Sequence, residues 1–174
     1  PIPGDPVFAT NDPRPGGNSP WFQGTGVRVP SEGNDTCGFD IALVILENNV
    51  PAAVAKPAVP RIDREVVAGE SYVAFGYGED ENGQQPEGRM RLGDLEVQCA
   101  PGECPTYAIK STEFLGETGI CSGDSGGPAL DADGKVVGVV SRGSDGCETP
   151  IYGTVTAWRD FIMSTAIEAA ELGN

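Results

Sequence analysis

The chain has 174 residues, 39% hydrophobic and 7% aromatic, enough to bury a core and outside the composition of disordered chains. Eleven Lys and Arg stand against 26 Asp and Glu, a net charge of −15 that repels nucleic acid and anionic membranes and otherwise serves solubility. No apolar run approaches the roughly 20 residues that span a bilayer, so no membrane anchor is expected.

Twenty-five glycines and fifteen prolines, with short Val/Ile/Leu runs between them, favour many brief strands and an all-β class. Residues 1–36 read as mostly loop, with one strand, "GVRVP", at 26–30. "DIALVIL", Asp40–Leu46, is a continuous apolar run of strand length, the pattern of a strand buried on both sides. Prolines at 51, 57 and 60 forbid regular ladder pairing through 50–62 and suit an extended connector, with a boundary near residue 60. Six further strands are predicted at 70–78, 89–99, 106–111, 128–130, 135–143 and 150–155, and their turn-punctuated spacing fits a closed antiparallel barrel. The acidic loop 79–88 lacks the ligand alternation of a calcium loop and reads as solvated surface. After it all, Trp158, Phe161, Ile162, Ala166 and Ile167 recur at helical spacing, predicting one terminal amphipathic helix. The expected units are 1–60, the barrel 61–155 and the helical tail 156–174.

Cys37, Cys99, Cys104, Cys121 and Cys147 lack the paired spacing of a zinc ribbon, and no histidine exists to complete a mixed site. Disulfides are expected rather than a metal, which places the mature chain outside a reducing cytosol, secreted or periplasmic. An odd count leaves one cysteine beyond internal pairing. The opening "PIPGDPVFAT" has neither an initiator Met nor an apolar leader and reads as a cut boundary.

The chemistry concentrates in "CSGDSGGPAL", Cys121–Leu130. A serine hydroxyl attacks well only when a base takes its proton and paired donors stabilise the oxyanion that forms. Gly123 can turn its N–H toward a bound carbonyl without Cβ interference, and the N–H of Ser125 can converge on the same point.

"GDSGGPAL" with "VVGVVSRG", "CETPIYGTV", "DIALVIL" and "FGYG" resembles the chymotrypsin/trypsin-like serine endopeptidases, and reads as a secreted member of bacterial type. The resemblance implies two perpendicular antiparallel barrels, the first incomplete here, with the site in the crevice between them. It implies Ser125 as nucleophile, Gly123 and Ser125 as oxyanion donors, and Asp40 as the carboxylate that orients a catalytic imidazole. Asp124 matches the family's ion-pair partner for a freshly cleaved N-terminus in a zymogen. Ser141, Arg142 and Gly143 match the edge to which substrate backbone adds as a strand, with Ser122 and Gly119 also lining the substrate site. Cys121 and Cys147 match the disulfide across the primary pocket. Cys99 and Cys104, five apart, can close a local loop, a pairing that spacing alone supports weakly.

The departures are as informative. The family's histidine segment, ahead of the aspartate, has no counterpart, and 174 residues fall short of the roughly 200–250 of single-domain β-barrel chains. The expectation is a companion N-terminal fragment carrying the histidine, with Cys37 as the candidate bridge to it. The alternative is a pseudoprotease acting as a binding or regulatory module. An acyl-transfer esterase is disfavoured, because no Gly-x-Ser-x-Gly elbow occurs. Where trypsin-like members carry an acid at the pocket floor this chain has Gly119, so an apolar side chain is expected there rather than Lys or Arg. Glu117, Asp145 and Glu148 lie near the pocket in sequence and read as solvated loop acids. A polypeptide substrate and no cofactor are expected.

Overall fold

Burial alternates residue by residue along Ser71–Gly76 and again through 95–99, where the main body begins. In Met90–Cys99 the side chains of Leu95, Val97 and Cys99 are buried while Glu96 and Gln98 face solvent, the period of a strand with one wet face. The computed structural model describes residues 4, 6–31, 36–80, 82–105, 108–144 and 146–173. Six strands, β4 (Ser71–Gly76), β5 (Met90–Cys99), β6 (Glu113–Gly116), β7 (Pro128–Leu130), β8 (Val136–Ser144) and β9 (Glu148–Thr154), close an antiparallel barrel in the order β4-β5-β6-β9-β8-β7. Before them, β1 (Phe8–Ala9), β2 (Phe22–Arg28) and β3 (Leu43–Leu46) form an open antiparallel sheet in chain order. The chain is therefore mostly β, with a closed barrel, a second sheet and a C-terminal helix.

Inside the barrel, Phe114 stacks on Tyr152 at 4.7 Å and both meet Tyr72 edge-on. All three rings are buried, and each contributes on the order of 2–3 kcal/mol by leaving water. Burial raises the hydroxyl pKa of Tyr152 far above that of a free phenol. Tyr72 donates its hydroxyl to the Tyr152 oxygen at 3.3 Å.

Main-chain pairing also ties the connector to this body. Val136 N–H donates to Val59 O and Arg61 N–H to Val136 O, at 2.9 and 2.8 Å. The Arg61 side chain, 1% exposed, lies between the carboxylates of Glu70 and Asp131. Residues 51–58 themselves run mostly exposed, in keeping with their prolines.

Several expectations needed correction. No strand forms at 108–111, and Thr106 and Tyr107 lie outside the described residues; the strand is Glu113–Gly116, because Glu113 anchors the chain there. The first strand covers Phe22–Arg28 rather than 26–30, and the two-residue β1 gave no sequence signal. Asp40–Ala42 precede β3 instead of opening it, and within β3 only Ile45 is buried, since a three-stranded sheet covers little of the strand. The helix spans Arg159–Glu171, preceded by a 3₁₀ turn at Thr156–Trp158. Its inward stripe is Phe161, Ile162, Thr165 and Ala169; Ala166 and Ile167 face solvent. Arg28 of β2 meets the helix at Glu168, with Nε 3.0 Å from Oε2. No helix among the described residues is long and apolar enough to cross a membrane.

Candidate active site

The "GDSGGP" stretch is a sequence of tight turns fixed at both ends. Asp124 N–H donates to Cys121 O at 3.1 Å and Gly127 N–H to Asp124 O at 2.8 Å. Gly126 N–H then reaches Val140 O at 2.8 Å, and Val140 N–H returns to Gly127 O at 2.9 Å. Ser125 sits exposed at the crest, between cavities of about 350 and 500 Å³. Gly123 has φ +96°, a left-handed value that favours glycine, and a Cβ there would come within 3.1 Å of Gly78 Cα. Among the described residues the N–H groups of Gly123 and Ser125 meet no acceptor. Uncommitted backbone donors beside one exposed hydroxyl are what an anion-accepting turn requires.

Asp40 reaches this region from the other sheet. Its chain leaves a short helical turn, Thr36–Phe39, whose regularity Gly38 breaks at φ +96°. Phe39 packs edge-on against Trp158 at 5.6 Å, and half-buried Cys37 lies in the same turn. Ser141, 8% exposed, donates its hydroxyl to Asp40 Oδ2 at 2.7 Å. Because Val140 holds the serine turn and Ser141 holds Asp40, consecutive residues of β8 bring both sequence-predicted groups to one strand.

Asp124 points inward and is 6% exposed. Gly78 N–H donates to its Oδ1 at 2.8 Å and Cys121 N–H to its Oδ2 at 2.9 Å. Cβ atoms at Gly76 and Gly78 would run into this carboxylate, so "FGYG" and Asp124 fit as one unit. The carboxylate also borders a cavity of about 710 Å³ that includes Leu92 and Gly119.

Both expected disulfides are formed, Cys121–Cys147 and Cys99–Cys104. The first joins two walls of the cavities, and Gly119 N–H donates to Cys147 O at 3.1 Å across the same gap. At Gly119 φ is +118° and a Cβ would lie 2.9 Å from Leu92 Cδ2, so a side chain there is strained and presses on that methyl. Ser122 and Gly143 line the smaller cavity together with Ile120. Arg142 lines it too, but its guanidinium turns inward to Glu113. Glu148 borders the larger cavity; Glu117 instead accepts the Glu96 N–H at 3.1 Å, and Asp145 lies outside the described residues.

The sequence pattern of the Trypsin family matches residues 14–162. The chain belongs to the trypsin family. Mouse "Transmembrane protease serine 11E" is 31% identical over 145 residues, 72% of this chain and 34% of that protein. "Trypsin epsilon" of Drosophila erecta is 32% identical over 143 residues, 74% of this chain and 55% of its own length. "Trypsin" of Phaedon cochleariae is 52% identical over 52 residues, 28% of this chain and 19% of that one. This trypsin-family chain thus spans between about a third and about half of the longer matches.

Two residues beside the candidate site escaped the sequence reading. Leu92 of β5 lines the cavity next to Gly119, and the strand pattern at 89–99 did not single it out. Glu113 is 1% exposed and accepts hydrogen bonds from three separate segments. Its one signal was an acid immediately ahead of an apolar run, "EFLG".

Proposed function

We propose that this chain supplies the nucleophile, the oxyanion donors and the orienting carboxylate of a secreted serine endopeptidase, with the catalytic histidine coming from a segment outside these 174 residues. The observation that carries the reading is the 2.7 Å bond from Ser141 to Asp40, made one residue from the point where β8 holds the Ser125 turn. The sequence contains no histidine, which supports placing that group on a segment outside these 174 residues.

In this reading Ser125 Oγ attacks the substrate carbonyl as its proton passes to the incoming imidazole. The carbonyl oxygen takes the negative charge and accepts the N–H groups of Gly123 and Ser125. Collapse of the tetrahedral adduct breaks the C–N bond, the imidazolium protonates the departing amine, and water hydrolyses the resulting ester by the reverse assistance. Asp40 orients the ring and offsets its transient positive charge. Gly119 and Leu92 favour an apolar substrate side chain, stabilised by about 1.5–3 kcal/mol on burial. Two disulfides suit an oxidising compartment. Asp124, held by two backbone amides beside the cavity of about 710 Å³, is the group a newly cut terminal ammonium would seek on zymogen activation.

A second reading, a pseudoprotease that binds without cleaving, is favoured by the histidine count of zero. A fluorophosphonate probe separates the two. Ser125 should be labelled in the protein isolated from its source, not in the 174-residue chain alone, and Ser125→Ala should abolish labelling. No labelling of either preparation decides for the pseudoprotease.

A further inference from the structure

We propose that Glu113 and Arg142 act together as a positioning clamp for Asp40, gripping both chain segments whose meeting forms the Asp40–Ser141 contact. The inference rests on the reading of Asp40 as the orienting carboxylate, and it adds two residues to that machinery.

The geometry is convergent. Glu113 opens β6 with its side chain 1% exposed. Its Oε1 accepts the N–H of Gly38 at 2.7 Å, two residues before Asp40. Its Oε2 accepts the N–H of Lys110 at 2.8 Å and Nη2 of Arg142 at 2.8 Å, while Nη1 of Arg142 returns to Oε1. Thr112 Oγ1 donates to Gly38 O at 2.8 Å, so Gly38 is held on both its polar groups. A side chain at Gly38 would press on Lys110 and Thr112, at 3.0 and 3.1 Å, which keeps this approach open to glycine.

From the other side, Arg142 follows Ser141 on β8. Its Nη1 lies 3.4 Å from Ser141 Oγ, the atom that donates to Asp40, and its Nη2 donates to Ala108 O at 2.8 Å. The planar guanidinium thus grips the carboxylate through Nη1 and Nη2 while Nη1 also reaches the serine, a fork that an ammonium cannot reproduce. Burial by itself would raise the Glu113 carboxyl, but the Arg142 fork and the N–H donors of Lys110 and Gly38 hold it below the usual carboxylate range. The Glu113 bond in turn keeps Arg142 charged, with Asp40 adding to the effect. One ionised pair therefore ties the turn before Asp40 to the strand that carries Ser141.

The test reads Asp40 directly. With ¹³C-labelled aspartate, the Asp40 carboxyl resonance is followed in the 174-residue chain, and Ser141→Ala marks the position of the released carboxylate. Glu113→Gln and Arg142→Met should each move the signal toward that position, and Arg142→Lys, which keeps the charge without the fork, should fall between. An unmoved Asp40 signal in folded Arg142→Met overturns the proposal. If Glu113→Gln does not fold, the Arg142→Met and Arg142→Lys pair decides alone. In the complete protease, Arg142→Met should lower kcat about tenfold with KM within about twofold. A change confined to KM also overturns the proposal. A wild-type protease that ignores the fluorophosphonate probe sinks the catalytic role of Asp40, while the resonance still decides whether the clamp exists.

Discussion

Ser141 donates its hydroxyl to Asp40 at 2.7 Å, closing a contact over 101 residues of sequence. Ser141→Ala removes a part-buried bond and should cost about 0.5–1.5 kcal/mol. For a chain of this size that is a fall in Tm of about 2–4 °C per kcal/mol, readable by calorimetry. A melt superimposable on wild type means the contact does not persist in solution.

Arg61 gives the pH dependence its sign. Burial would raise Glu70 and Asp131. Against it, Arg61 and the Val67 N–H on Glu70, and the Lys135 N–H, Arg61 and the Asp133 N–H on Asp131, hold both carboxyls below their ordinary range. Their folded pKa values are thus lower than the unfolded ones, so their stabilisation is complete above about pH 4–4.5 and disappears as pH falls through the depressed values. Arg61→Leu leaves buried Asp131 and part-buried Glu70 with only the exposed Arg64 as cation and should cost about 3–5 kcal/mol at neutral pH. In that variant both carboxyls titrate higher, so the gap to wild type should narrow on acidification. Urea unfolding at neutral and mildly acid pH reads it; a gap independent of pH refutes the pairing.

At the pocket floor, Gly119→Asp should not install a preference for basic residues. The new Cβ meets Leu92 at 2.9 Å, and φ of +118° strains a non-glycine residue by about 1–3 kcal/mol. Thermal melts should show that loss, with Leu92→Ala recovering the steric share but not the backbone share. Gly119→Asp as stable as wild type contradicts this geometry.

The two disulfides should differ in worth. Cys121–Cys147 closes a separation of 26 residues and Cys99–Cys104 one of 5. Loop-closure entropy then assigns about 3.5 kcal/mol to the first and about 2 to the second. Paired Cys→Ala variants, compared by urea unfolding, should rank in that order; the reverse ranking refutes a chain-entropy account.

How much of this was legible follows from the range of the interactions. β7 stands where read, at Pro128–Leu130, because "DADG" supplies a tight turn directly after it and Pro begins it. β5 was legible from its alternation. The strand expected at 106–111 was not, since the placement of β6 follows from Glu113 reaching Gly38, 75 residues away. The helix face was misread for a related reason: Ile167 satisfies a helical period, but the covered face runs through Phe161, Ile162, Thr165 and Ala169, against parts of the fold distant in sequence. For the site, Ser125, Asp40 and the pocket cysteines came through resemblance, because motif residues keep their spacing. Leu92 and Glu113 belong to no local pattern and become visible only when strands close.

The covalent border between the two sheets is not their physical border. Gly38 and Asp40 are bonded to the barrel, as are Asp12 and Pro13, whose carbonyls accept the Tyr77 hydroxyl and the Arg89 N–H. A nick anywhere in the exposed stretch 51–58 would therefore break the polymer without separating the halves. The two pieces should co-elute as one particle and part only in denaturant.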